Sequence, residues 1–275
     1  MPVVLALLGT VIIFFKTDVC RVGIFRDPAH IFIATVVSPP STVMLFIKRR
    51  KQMDIIEAIS QRKSVRGFKP DPVSKDVLSR ILDLACSAPS AMNTQPWEFA
   101  VITGDVLNRL SLAIVEKLNM MEPMGPEHRV VSWSNDSIYR KRQIELAKGI
   151  FKLMDIPRED QQKRAEWLER GFRFFDAPVG IFLLTDKSLS DSGPLLDIGA
   201  AMQNICLAAL HFGLGTCIED QSLPYPEVLR EIAEIPDNKR IIIAIAIGYP
   251  DWDFPANDLS TGRESLDNNT CWIGF

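Results

Sequence analysis

The alternation of apolar and polar positions becomes regular from Met53 onward. The stretch "MDIIEAISQR" places Ile55, Ile56 and Ile59 on one helical face. The stretch "SKDVLSRILDLACSAP" repeats helical spacing after Ser74, a residue type typical of a helix N-cap. The pattern therefore predicts two amphipathic helices, with the polar stretch "SQRKSVRGF" between them.

Further along the chain the pattern predicts a sheet surrounded by helices. The predicted strands are 97–103, 177–186 and 240–250, and the last is a run of branched aliphatic residues typical of a central strand. The predicted helices carry "VLNRLSLAIVEKL", "IYRKRQIELAKGIFKLM", "QQKRAEWLERGFRFF" and the apolar "PLLDIGAAMQNICLAALHFGLG". The polar stretch 119–175 is predicted to be an excursion that covers part of the domain. With no internal repeat, residues 53–275 are expected to form one α+β domain.

The first 52 residues differ from the rest and form an N-terminal extension of uncertain status. The apolar run "VVLALLGTVIIFF" covers residues 3–15 and is shorter than the roughly 20 helical residues that a membrane span needs. It also lacks the basic region and cleavage site of a signal peptide. Three interpretations remain: a membrane-associating leader, an extra strand-forming arm, or an upstream mis-start with Met53 as the ordinary beginning.

Composition excludes several function classes. The chain of 275 residues carries a formal net charge of -3, so it has no excess of Lys and Arg to neutralise a nucleic-acid backbone. Its five cysteines and three histidines are scattered without close pairs, which indicates a reducing, cytoplasmic environment and no metal site built by the protein. Any phosphate contact is therefore expected to be local.

The stretch "SQRKSVRGF" concentrates positive charge just after the first predicted helix. Arg62, Ser64 and Arg66 occupy alternate positions, with Lys63 between them. Arginine presents a planar fork of donors that matches a phosphate, so an anion site is one interpretation. A solvated basic loop is the other.

A second informative stretch is "SAPSAMNTQPWEF", residues 87–99, at the end of a predicted helix. Its small side chains allow a flat ligand to approach the main chain, and the amides of Asn93 and Gln95 can recognise donors and acceptors on a heterocycle edge. Taken alone, the same residues are also typical of an ordinary turn.

Taken together and in this order, "RKSVR", "PSAMN", "GLGTCIED" and "YPEVLREIAEIPDNKRIIIAIAIGYPD", with an arginine near the end, resemble the FMN-dependent nitroreductase family. The resemblance covers nearly all of residues 53–275. It implies an α+β nitroreductase-like fold with a central mixed or antiparallel sheet flanked by helices. It also implies a homodimer with shared active sites, in which FMN takes a hydride from NADH or NADPH.

The resemblance assigns the basic stretch to the FMN phosphate and ring. Arg62 would hold the phosphate, Ser64 would bond the phosphate or ribityl end, and Lys63 would contribute through its main chain or its charge. Arg66 would sit by N1 and the C2 carbonyl, where a cation stabilises the negative charge of the reduced flavin.

The resemblance assigns the second stretch to the partner subunit's contribution. Pro89 and Ser90 would lie against the isoalloxazine ring, while Asn93 and Gln95 would hydrogen-bond its polar edge. The site would then need residues of both chains.

Two more positions match the family's pattern. Glu219 stands where family members point backbone N–H groups at N5 and O4, and Arg263 matches a second phosphate-binding cation. Many relatives have a lysine two positions before that arginine, where this chain has Thr261. No catalytic side chain is assigned, because the cofactor carries the chemistry. Cys206 and Cys217 are expected to be small buried hydrophobes.

The expected reaction is reduction of a nitroaromatic or similar electron-poor acceptor by a ping-pong mechanism. Two alternatives remain open at this point. The chain could instead be a flavin-dependent reductase of enones, quinones or halogenated aromatics, or a flavin carrier without turnover. Turnover of NADH or NADPH with a nitroaromatic separates an enzyme from a carrier.

Overall fold

The computed structural model describes residues 4–7, 10–13, 53–130 and 133–275. The chain divides into two compact units, Met1–Asp54 and Ile55–Phe275. In the first unit, strands β1 (Val4–Leu7) and β2 (Thr10–Ile13) pair as an antiparallel hairpin. The three interpretations of the N-terminal extension also concern residues 14–52, which lie outside the described ranges.

The second unit contains helices packed around a sheet. Its helices are α1 (Ile55–Gln61), α2 (Lys75–Ala85), α3 (Gly104–Asn119), α4 (Ile138–Leu153), α5 (Gln161–Phe172), α6 (Leu195–His211), α7 (Pro226–Ala233) and α8 (Leu266–Asn269). Its strands are β3 (Glu98–Thr103), β4 (Val179–Asp186), β5 (Gly215–Glu219) and β6 (Lys239–Gly248). The helices and strands that the sequence pattern predicts are present, with small shifts at their ends. Ser74 accepts a hydrogen bond from the Val77 N–H at 3.4 Å and caps α2 as predicted.

The sheet has the strand order β3-β4-β6-β5, and all neighbouring strands are antiparallel. Strand β6 pairs with both β4 and β5, which confirms its predicted central place. A register shift between Leu183 and Leu184 interrupts the pairing of β4 with β6. The observed class is α+β, as the sequence predicts.

Alternation along the central strands divides the core into two apolar layers. Ile181 and Leu183 of β4 point into a layer shared with α2 and α6. Phe182 and Leu184 point into the opposite layer, shared with α3 and α7. Because both faces of the sheet are covered, the polar groups of a site must lie at its edges or at the ends of its strands.

The apolar face of α1 does not join either layer. Ile55, Ile56 and Ile59 are 61%, 70% and 54% exposed, and only Ala58 of this helix is buried. The predicted amphipathic helix is therefore present, but its apolar face points away from the core of its own chain. The α6 helix is likewise buried on fewer faces than its sequence indicates, since Leu196 is exposed near its start.

No helix within the described ranges is both long enough and apolar enough to cross a membrane.

Candidate active site

The basic segment, Arg62–Phe68, follows α1 and runs along β5 at the edge of the sheet. Ser64 forms a parallel bridge with Thr216, and the Val65 N–H donates to the Thr216 carbonyl at 2.9 Å. Val65 is buried against this strand, whereas Arg62 and Arg66 on either side of it remain half-buried. The strand-like alternation of the segment thus buries the apolar residue and leaves the cations partly accessible.

Asn257 fixes the second half of the basic segment. Its Oδ1 accepts from the Arg66 N–H at 2.7 Å, and its Nδ2 donates to the carbonyls of Gly67 at 2.8 Å and Asp251 at 2.7 Å. The side chain is fully buried, so these bonds are shielded from water. One amide therefore holds the backbone on both sides of the Arg66 side chain.

The segment is closed by contacts with the residues that follow β6. Phe68 bridges Pro250, and the Asp251 N–H donates to the Gly67 carbonyl at 3.0 Å. A Cβ at Gly67 would lie 2.2 Å from the ring of Phe254, closer than any side chain can approach. Gly67 is thus required by the packing of Phe254, and the basic segment has backbone partners along most of its length.

The three cations of the basic segment have no acidic partner within the described ranges. The ammonium of Lys63 lies 6.0 Å from the Trp252 ring centroid, and Arg66 lies 6.0 Å from the Phe175 ring centroid while it contacts the Ser64 carbonyl at 3.5 Å. By contrast, Arg170, which contacts the Arg66 carbonyl, has an acidic partner in Asp176. Positive charge that the fold holds in place without compensation is suited to an anionic ligand.

Glu219 ends β5 and is buried close to the basic segment. Neither oxygen of its carboxyl has a hydrogen-bond partner in the described part of the chain, and the buried Ser222 hydroxyl also lacks one. Burial raises the pKa of Glu219 well above its usual range. The nearby Ser222 hydroxyl opposes the rise although its geometry falls short of a hydrogen bond, Asp220 adds to the rise, and the Arg66 guanidinium opposes it. A carboxyl in these surroundings favours its neutral form.

The two buried thiols next to the segment are not reactive groups. Burial raises the pKa of Cys217 to about 12, although the charge of Arg66 opposes the rise. Burial also raises the pKa of Cys206, with Thr216 and Arg62 acting in the opposite direction. Both thiols stay protonated at neutral pH, so they serve as small buried residues, as the sequence predicts.

Sequence reasoning missed the contact between α5 and the basic segment. Arg170 donates to the carbonyls of Arg66 and Phe175, each at 3.4 Å, and pairs with Asp176 at 2.7 Å. Its guanidinium also lies 4.7 Å from the Phe254 ring centroid. Burial lowers the pKa of Arg170, opposed by Asp176. The polar stretch 119–175, predicted to cover part of the domain, therefore contacts the predicted site near its C-terminal end. No local sequence motif marks Arg170 for this contact.

The loop Pro89–Gln95, called the amide loop below, carries the second set of predicted residues. The Gln95 N–H donates to Ser90 Oγ at 3.0 Å, and the Gln95 amide donates to the Asn93 carbonyl at 3.3 Å. Asn93 and Gln95 have φ of +59° and +47°, a left-handed conformation that asparagine tolerates better than most residues. Asp197 at the start of α6 accepts from the Ala91 N–H at 3.1 Å. The loop is thus shaped locally, while most of its side chains are exposed to solvent.

Arg263 lies in the exposed stretch between the Pro255–Asp258 turn and α8. Its guanidinium donates only to its own loop, namely to the carbonyls of Thr261 and Gly262 and to Thr261 Oγ1 at 2.8 Å. The next residue, Glu264, pairs with Arg142 of α4 at 2.8 Å. Thr261, which replaces the lysine of many relatives, therefore contacts Arg263 directly.

The structure brings together one part of the predicted site. Arg62, Lys63, Ser64 and Arg66 lie along β5, and the charge of Arg66 acts on Glu219 at the end of that strand. Within the described ranges, no hydrogen bond or ion pair joins these residues to the amide loop or to Arg263.

The model of the nitroreductase family matches residues 59–249, which is more than half of the chain. The chain belongs to the nitroreductase family. Similarity to nitroreductases extends over nearly the whole second unit. The nitrobenzene nitroreductase of Ectopseudomonas oleovorans is 34% identical over 80% of this chain and 96% of its own length. The 4-nitrobenzoate reductase of Pseudomonas putida is 31% identical over 81% of this chain and 96% of its own.

Solved nitroreductase structures share the fold. The FMN and NADPH-dependent nitroreductase NfnB from Sphigopyxis sp. strain HMH superposes with a TM-score of 0.77 at 27% identity, covering 81% of this chain and 100% of that one. NfnB from Mycobacterium smegmatis has a TM-score of 0.73 at 23% identity and covers 80% of this chain. The family and the fold implied by the sequence motifs are both confirmed.

Proposed function

We propose that this protein binds FMN at the basic segment, takes a hydride from NADH or NADPH and reduces a nitroaromatic or similar electron-poor acceptor. The observation that carries the proposal is the set of cations Arg62, Lys63 and Arg66, held beside β5 without an acidic partner in the described ranges. Membership of the nitroreductase family and the nitroaromatic reductases among its relatives support the reaction class.

The residues of the basic segment fit FMN. Two arginine forks and the Ser64 hydroxyl are the donors that a phosphate dianion requires. At the end of β5, the described part of the chain supplies no hydrogen-bond partner to the buried carboxyl of Glu219, which leaves a polar group there for a ligand. Bound there, FMN would carry the hydride between the nicotinamide and the acceptor.

In this proposal each residue of the basic segment has a separate task. Arg62 and Ser64 bind the phosphate, Lys63 adds positive charge, and Arg66 stabilises negative charge that develops on the ring during reduction. Arg263 would be a second phosphate ligand through Nε and Nη2, since its bonds to Thr261 and Gly262 all come from Nη1.

A second copy of the chain would complete the site. Pro89, Ser90, Asn93 and Gln95 would come from the amide loop of that copy and contact the ring. Two features of the single chain support a homodimer: the exposed apolar face of α1, and Met92 of the amide loop, which is 98% exposed. Apolar side chains grouped in this way are typical of surfaces that a partner covers. Interfaces of obligate dimers commonly bury more than about 2,000 Å².

The test follows loss of NADH or NADPH absorbance with nitrobenzene and with 4-nitrobenzoate. We expect flavin-containing protein and parallel double-reciprocal lines, because donor and acceptor would use one position in turn. Intersecting lines would contradict the proposal that donor and acceptor occupy the same position in turn. A protein that contains FMN but shows no turnover would be a flavin carrier. The same assay with quinones and enones ranks the acceptor classes.

We also propose that residues 53–275 form the catalytic domain without the N-terminal extension. The family match begins at residue 59, inside the second unit of the structure. A chain that begins at Met53 should keep its FMN content and its turnover, and loss of either would assign a structural role to the extension.

A further inference from the structure

Glu219 is the buried acid that the proposed chemistry leaves unexplained. It is 6% exposed, and the groups that interact with it electrostatically are Cys217 of β5, the flanking Asp220, Ser222 and the Arg66 side chain. Neither carboxyl oxygen has a hydrogen-bond partner within the described ranges. An ionised carboxylate buried without donors is unfavourable unless a positive charge compensates it.

Arg66 lies beside this carboxyl, because Ser64 pairs in parallel with Thr216 and the basic segment continues along β5 toward Glu219 at its end. Its positive charge acts on the carboxyl, and it has no acidic partner of its own in the described part of the chain. Among the other groups that act on Glu219, Asp220 is negative, Ser222 is neutral, and the Cys217 thiol is protonated at neutral pH. Arg66 can therefore compensate either an ionised Glu219 or a negative charge on a ligand. It compensates both at once only weakly, since the two negative charges would also repel each other.

We propose that a proton on Glu219 and negative charge held by Arg66 stabilise each other. When negative charge arrives at Arg66, the carboxylate of Glu219 loses its compensation and takes a proton from water. When the carboxylate is ionised, it offsets the charge that Arg66 offers to a ligand. Glu219 is thus a positioning residue that acts through Arg66, and by linkage each effect equals the other in free energy.

The inference rests on the proposed function, because it assigns the negative charge at Arg66 to the reduced flavin. The test measures the midpoint potential of the FMN-loaded protein from about pH 7, where the FMN phosphate is already dianionic, up to the highest pH at which the protein keeps its fold and its flavin. Above the pKa of Glu219 in the oxidised protein, reduction should take up one additional proton. The plot of midpoint potential against pH should then become steeper. One extra proton changes the equilibrium constant for reduction tenfold per pH unit, which for a two-electron couple is about 30 mV per pH unit.

Two matched variants separate this effect from a merely structural one. Glu219→Gln keeps the size of the side chain and cannot ionise, so its slope should show no break. Asp220→Asn removes the neighbouring negative charge that raises the Glu219 pKa, so its break should persist and move to lower pH. The infrared difference between the reduced and oxidised wild-type protein at the alkaline end should gain a protonated-carboxyl C=O band that Glu219→Gln lacks.

A wild-type slope without a break, or the same break in Glu219→Gln, would overturn the inference and leave the proposed function intact. Protein that takes up no FMN would contradict the proposed function instead. Flavin content and thermal midpoint are measured first for all three proteins, so that a folding defect in Glu219→Gln is recognised. If Glu219→Gln does not fold, Asp220→Asn provides the test. A break that does not move to lower pH in Asp220→Asn would contradict the inference.

Discussion

The basic segment and the amide loop are both expected to contact one cofactor, yet the chain holds them in different ways. The basic segment has hydrogen-bond partners far away in sequence, at Thr216, Asp251 and Asn257. The amide loop is shaped by bonds within itself and by one bond to Asp197. The first region is part of the folded core of its own chain, and the second is exposed on the surface.

This difference indicates which half of the site a single chain can build. The basic segment is in place before any partner arrives, because its backbone is fixed by β5 and by buried Asn257. The amide loop offers a preset shape, with left-handed φ at Met92, Asn93 and Gln95, but it has little surface of its own chain to pack on. Substitutions in the two regions should therefore have different effects. Those that loosen the basic segment should act within a single chain, whereas those in the amide loop should act only where two chains meet.

The largest effect is expected from Asn257→Ala. The change leaves the Arg66 N–H without its buried partner, at a cost of about 1–3 kcal/mol, and removes one of two donors from the Gly67 and Asp251 carbonyls, at about 0.5–1.5 kcal/mol each. We expect the free energy of unfolding to fall by about 3 kcal/mol in urea denaturation. FMN affinity should fall with it, whatever the oligomeric state. Asn268→Ala, at an exposed position in α8, is the control. An unchanged stability would show that the basic segment does not depend on Asn257.

Arg62→Ala should weaken FMN binding by about 1.5–3 kcal/mol, the value of a hydrogen bond to a charged group, while stability stays near that of the wild type. This loss corresponds to roughly 10- to 150-fold in the dissociation constant, measured by titration of flavin-free protein. Arg109→Ala removes an equally charged but exposed side chain of α3 and should bind FMN normally. Equal losses in the two variants would mean that the effect is one of net charge alone.

Met92→Glu should act on the amide loop without changing the single chain. The side chain is 98% exposed there, so a charge costs little until a second copy covers it. We expect at least a tenfold rise in the dimer dissociation constant, about 1.4 kcal/mol, in sedimentation experiments. Leu112→Glu, at a 68% exposed position of α3, is the matched control. A dimer as tight as that of the wild type would place the interface elsewhere.

The smallest effect is expected for thiol labelling of the folded protein. Burial raises the pKa of Cys217 to about 12, so its reactive thiolate is nearly absent until the pH approaches that value. Cys86 is exposed, so iodoacetamide should reach it and alkylate it at about pH 8. Peptide mapping should find Cys86 alkylated, with Cys217 and Cys206 unmodified. Rapid alkylation of Cys217 would show that the basic segment opens readily from β5.

The parts of the fold that the sequence predicts are those with a local cause. The Ser74 cap and the apolar run of β6 each depend on neighbouring residues. The motif "RKSVR" also identified cations that the structure holds together beside one strand. Local propensity and motif spacing were sufficient for these features.

The parts that the sequence did not predict depend on distant contacts. Asn257 and Arg170 contact the basic segment from 191 and 104 residues away, and nothing near either residue marks this role. The turn at Phe174, Phe175 and Asp176 has φ of +56°, +53° and +58° without a glycine to signal it. The pattern of α1 correctly predicted a helix, but periodicity alone cannot tell an apolar face that is buried in its own chain from one that stays exposed, as it does here.

The bond between Arg66 and Asn257 also sets an order of events during synthesis. The ribosome makes Arg66 early, yet its backbone partner and the central strand β6 come from the last part of the chain. Contacts of such long sequence separation form late, because a large loop must close first. The nascent chain therefore carries the cations of the basic segment unfixed through most of translation. A ribosome stalled before codon 257 should present a chain that retains no FMN, even though the motif "RKSVR" has already left the exit tunnel.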